Sequence, residues 1–157
     1  MSYLDKKDSP KPAPGVARLM FPCCISNPVR LQEYLENARL RLRLHDEVFE
    51  IAIAEPGQEF KDDFAVINYR GEKTVVRPVR RETTNGIYRM ITVDAELPSD
   101  LVGLLAFLSE GLAKAEVPIF VVSSLRTDHI LVRQEDLARS VRALKALGAD
   151  LVGAGPA

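Results

Sequence analysis

The sequence predicts an α+β fold, with an antiparallel sheet carrying helices on one face. Two observations carry that expectation. Apolar and polar residues alternate with period two in several segments between residues 39 and 93, the mark of half-buried strands. After residue 98, two stretches with helically spaced leucines interleave with short β-branched runs. Sheet and helices must therefore cover one another's apolar faces.

The elements follow in order. Residues 1–15 hold Pro10, Pro12 and Pro14 among polar and charged neighbours, and read as a flexible tail. Asn27 and Pro28 suit the cap and first position of a short helix, with Leu31, Tyr34 and Leu35 lining one face. The run Arg39-Leu40-Arg41-Leu42-Arg43-Leu44 alternates strictly, His45-Asp46 resembles a tight break, and Phe49, Ile51 and Ile53 resume the alternation. Residues 39–54 are thus expected as a β-hairpin. The three arginines form the solvated face of its first strand.

Phe64–Tyr69, a turn at Arg70-Gly71-Glu72, and Thr74–Val76 predict a second hairpin. Residues 77–86 are polar, end in the turn pair Asn85-Gly86, and read as a loop. A strand follows over Tyr88–Val93.

Ser99 is a good N-cap, and Asp100 suits the positive end of a helix dipole. Leu101, Leu105, Leu108 and Leu112 then trace one apolar stripe. Strands are expected at about 119–123 and 128–133. A second helix runs from about Gln134 with Leu137, Val141 and Leu144 inward, Gly148 sits as its C′ residue, and Leu151-Val152 adds a last short strand. The order β-α-β-β-α-β from Tyr88 onward is that of a ferredoxin-like sandwich. The two hairpins before it read as a degenerate copy of the same unit.

Composition narrows the function. With 21 basic and 22 acidic residues in 157, net charge offers no attraction for nucleic acid or an anionic membrane. No apolar run approaches the ~20 residues of a bilayer span. The N-terminus does not have the pattern of a signal peptide. The only cysteines, Cys23 and Cys24, are adjacent, which fits reduced thiols in a cytoplasmic protein better than a strained disulfide or a metal site. His45 and His129 are the only histidines, and neither belongs to a nucleophilic or metal-binding motif. His45 is expected to be solvated in a turn. No catalytic residue, metal ligand or cofactor motif is read, and the expectation is of a protein that is not an enzyme.

Two features point to binding. The strand-turn-helix Val93–Gly103 puts a glycine near a helix start, where free amides could approach a carboxylate without a side chain intervening. The stretch Ser123–Asp128 carries hydroxyls and a carboxylate suited to an ammonium group. Together they would suit a free amino acid.

These residues carry a resemblance. Leu101-Val102-Gly103-Leu104-Leu105-Ala106, followed by Pro118–Ser124, resembles the ACT-domain superfamily, and in particular the small tandem-ACT family that includes bacterial proteins and the eukaryotic cytosolic arginine sensor. Gly103, Ser123, Thr127, Asp128, Leu131, Val132, Glu135 and Asp136 match that family's pattern. The resemblance implies a ferredoxin-like ACT sandwich of two ACT-like halves. An extension over residues 1–36, a degenerate half over 37–82 and a fuller half over 83–157 would make up the chain.

It further implies a regulatory, amino-acid-binding protein able to form homo-oligomers or dock a regulatory partner. One wall of the site would be Ser99, Asp100, Leu101, Val102 and Gly103, with amides around Val102 and Gly103 for the carboxylate. The other would be Ser124, Leu125, Thr127 and Asp128, with Asp128 for the ammonium. Leu125 and His129 stand where the family has aromatics, and Arg126 where an acid is common, which argues against a cationic ligand. The alternative is a dimerisation or interaction module whose sheet edges pair without any ligand.

Overall fold

The computed structural model describes residues 30–37, 39–80, 82–95, 97 and 101–153. Cys23, Cys24, the caps read at Asn27 and Ser99, and Asp100 lie outside the described residues. The fold is α+β, of the ferredoxin-like kind, with one mostly antiparallel sheet and helices on one face. A short helix α1 (Leu31–Asn37) leads into strands β1 (Arg41–Ile53), β2 (Ala65–Tyr69), β3 (Glu72–Pro78) and β4 (Tyr88–Val93). Helix α2 (Leu104–Lys114), strands β5 (Ile119–Ser123) and β6 (Asp128–Arg133), helix α3 (Leu137–Ala146, entered through a 3-10 turn at Gln134–Asp136) and strand β7 (Asp150–Gly153) follow.

One sheet holds all the strands, in the order β2-β3-β1-β4-β6-β5, with β7 beside β1. All ladders are antiparallel except β1 with β7.

The expected hairpin over 39–54 is instead the single strand β1. What reads as a break at His45-Asp46 is a bulge: Leu44 faces Ile91 and Val48 faces Arg89, so four steps on β1 answer two on β4. The Arg89 guanidinium donates to the His45 carbonyl at 2.9 Å, occupying a backbone acceptor that the ladder leaves over. The second hairpin is as expected, closed by Arg70 (φ 49) and Gly71 (φ 88). Positive φ at both central residues is the turn that matches strand twist.

Strand β1 also alters the pairing of the C-terminal unit. Leu42 pairs with Val93 of β4 on one side and with Leu151 of β7 on the other. The last strand is thus separated from β4 by β1.

The helices cover one sheet face. Leu42, Leu44, Ile91, Val93, Ile130 and Val132 pack there against Leu104, Leu108, Leu112, Leu137 and Leu144. Buried Leu104, and not the 36% exposed Leu105, joins Leu108 and Leu112 in the inward stripe of α2. The opposite face has a smaller core of Phe49, Val76, Met90 and Leu131. Phe64 folds back over it, its ring centroid 6.0 Å from that of Phe49 and 4.9 Å from that of His129.

Candidate functional site

Helix α2 begins at Leu104, later than the Ser99 cap implies, with Gly103 as N-cap at φ 101 and no side-chain cap. A left-handed residue is cheap only for glycine. The first intrahelical bond is Phe107 N–H to the Gly103 carbonyl at 2.9 Å. The amides of Leu104, Leu105 and Ala106 therefore make up an uncapped first turn. Val102 does not share that role. It bridges to Arg30, its carbonyl accepts Leu31 N–H at 3.2 Å, and its side chain is 58% exposed.

The turn between β5 and β6 is built from its own hydroxyls. Ser124 N–H donates to the Thr127 carbonyl at 2.8 Å, and Ser124 Oγ donates to the same carbonyl at 3.0 Å. Thr127 Oγ1 donates to the Val93 carbonyl at 2.6 Å, tying the turn to the end of β4. Ser123 Oγ donates to Asp128 Oδ1 at 2.5 Å across the last pair of the β5–β6 ladder. That bond fixes the carboxylate's direction.

These two segments meet. A cleft of about 290 Å³ is lined by Leu97, Leu101 and Gly103–Ala106 on one side and by Ser124–Asp128 on the other. Of the residues singled out from sequence, Leu101, Gly103, Ser124, Leu125, Thr127 and Asp128 are brought together there, whereas Val102 is not among the lining residues. Leu97, Leu104, Leu105 and Ala106 line the same space and were missed, because the expected helix start lay several residues too early. Leu125, at 92% exposed, stands at the rim.

A second polar arrangement had no signal in sequence. His45 Nε2 lies 2.8 Å from Thr92 Oγ1, which lies 2.9 Å from His129 Nδ1. His45 is thus part of the sheet face, contrary to the solvated turn expected. One hydroxyl can donate to one ring while accepting from the other when both are neutral. Burial lowers the pKa of both imidazoles from the ordinary 6.5. The charge of His45 lowers that of His129 further, while nearby Glu47 partly opposes the effect on His45.

Burial raises the pKa of Glu50, but hydrogen bonds from Thr83 and Arg77 and the Arg77 charge outweigh it and leave it below the usual value. Among the described residues, no group of three or more His, Cys, Asp or Glu side chains could hold a metal ion. No helix among them is long and apolar enough to cross a membrane.

Comparison with known proteins places this geometry. A protein from Agobacterium tumefaciens has a similar structure, with a TM-score of 0.61 at 21% identity, covering 73% of this chain and 93% of that one. A Vibrio cholerae protein of unknown function, described as a possible transport protein, gives 0.60 at 18% identity, covering 69% and 90%. The aspartokinase alpha and beta subunits give 0.51 at 13% identity, covering 70% and 98%. At such identities the likeness is one of fold. Residues 83–146, from the loop before β4 to the end of α3, match the ACT domain family, whose members are regulatory ligand-binding units.

Proposed function

We propose that the protein is a non-catalytic regulatory module that binds a small amino acid or a related metabolite in the α2/β5–β6 cleft. The observation that carries this reading is the meeting of two chemically opposite walls across about 290 Å³. The amides of Leu104, Leu105 and Ala106 receive the ligand carboxylate at the positive end of α2. Asp128, aimed by Ser123, receives the ammonium. Arg126 on the same wall disfavours a cationic side chain.

A thermal-shift screen of the common amino acids tests it. Ligand at a hundredfold excess over Kd contributes about 2.7 kcal/mol, which is a rise of roughly 5–10 °C for a chain of this length. Asp128→Ala is expected to abolish the shift. A screen in which no amino acid raises the melting temperature rejects the ligand class, and a shift that survives Asp128→Ala rejects the site.

One observation favours a second reading, a protein-interaction module without a small ligand. Val102, Leu105 and Leu125 leave apolar surface exposed beside the cleft, as docking surfaces do. Under that reading Leu125→Asp weakens capture of a specific partner, while amino acids have no effect on the melting curve.

A further inference from the structure

We propose that strand β2 is a self-pairing edge, through which two copies of this chain join into one continuous antiparallel sheet. Among the described residues, β2, β5 and β7 each pair on one side only, and β7 carries the charged Asp150. Exposed edges are normally blunted by charge or proline. The sequence of β2, Ala65-Val66-Ile67-Asn68-Tyr69, contains neither. Its side chains are also exposed on both faces, Val66 at 36%, Ile67 at 40% and Tyr69 at 66%. The β5 side chains from Ile119 to Val122, by contrast, are already half-buried within the protomer.

The register within the hairpin decides which backbone groups are free. Tyr69 faces Glu72 across the two-residue turn, Ile67 faces Thr74 and Ala65 faces Val76. Pairs flanking a two-residue turn exchange hydrogen bonds, and bonded pairs alternate along the ladder. Ala65, Ile67 and Tyr69 therefore bond inward to β3. Lys73 agrees, since its carbonyl turns away from β2 to accept Ala54 N–H at 2.7 Å. The N–H and C=O groups of Val66 and Asn68 point outward.

A two-fold axis beside Ile67 sets Val66 of each copy against Asn68 of the other and makes four ladder bonds. It also sets the two Ile67 side chains directly opposite. Exposed Ile53 pairs with Thr74, which pairs with Ile67, so the apolar row runs from one protomer into the next. Antiparallel pairing is the direction in which both copies use the same outward groups, those of Val66 and Asn68, under one two-fold axis. Five residues a side make a small interface, so association is expected to be reversible and micromolar. It does not depend on the cleft or its ligand.

The test is sedimentation velocity on the full chain over a wide concentration series, without ligand. A concentration-dependent dimer is expected for the wild type. Ile67→Lys, at an already exposed position, is expected to give a monomer with an unchanged circular dichroism spectrum. In a Cys23→Ser/Cys24→Ser background, Ile67→Cys is expected to cross-link rapidly on mild oxidation. A non-hydrogen-bonded pair lies ~4.5 Å apart at Cα, within disulfide reach. Tyr69→Cys, offset from its own symmetry mate, is expected to stay reduced. A wild type that is monomeric throughout, a dimer that survives Ile67→Lys and so uses another surface, or cross-linking at position 69 in preference to 67 each overturns the proposal.

Discussion

At the scale of single residues, conformation and burial override residue type. Gly103 is the clearest case. A Cβ added there would lie 3.7 Å from Leu31 Cβ, an ordinary contact, so the cost of Gly103→Ala comes from the backbone angle alone. That cost is expected to be about 1–2 kcal/mol, measured by urea unfolding, and it should blunt any ligand response by distorting the first turn of α2.

The histidines give a prediction with a definite sign. Both have a folded pKa below the ordinary 6.5, so the unfolded chain takes up protons that the native chain refuses. Their contribution to stability is complete above about pH 6.5 and falls away as pH drops through the lowered folded values. The melting temperature should therefore decline between about pH 7.5 and pH 5, and His45→Gln/His129→Gln should flatten that decline. Glu50 acts lower, below its ordinary 4.5, so its loss of stability follows separately. None of this polar chain was legible beforehand, because His45 and His129 meet Thr92 across strands 47 and 37 positions away in sequence.

At the scale of elements, the sequence was read well where pattern and boundary agree. Strands β4, β5 and β6 and helix α3 lie where alternation, leucine spacing and the Gly148 stop put them, since the strands bury one face in the helix-side core and the other in the smaller opposite core, and α3 buries one stripe in the former. Two readings failed for the same reason, a local signal with more than one structural use. His45-Asp46 looks like a turn, but the polar pair sits in a bulge held by Arg89. Ser99 and Asp100 look like a helix start, yet α2 begins after Gly103 without a side-chain cap.

The cleft survived that second error because its walls depend on proximity of the loop and the β5–β6 turn, not on the first helical residue. Within α2, Leu108 is fully buried against the sheet. Leu108→Ala is expected to cost about 2–5 kcal/mol in chemical denaturation, with an exposed-position control such as Leu105→Ala costing far less.

At the scale of the whole molecule, β1 governs how the chain holds together. It is hydrogen-bonded to β3, β4 and β7, while the family match begins only at residue 83. Cutting there would strip β7 of its strand partner and open the side of β4 that β1 covers. A fragment of residues 83–157 is therefore expected to lack the cooperative melting transition that residues 30–157 retain, as followed by circular dichroism. The consequence concerns modularity. The stretch that sequence comparison recognises is not a cassette: a gene fusion that moves the cleft into another protein must carry Leu40–Ile53 with it, although those residues contribute nothing to the cleft's lining.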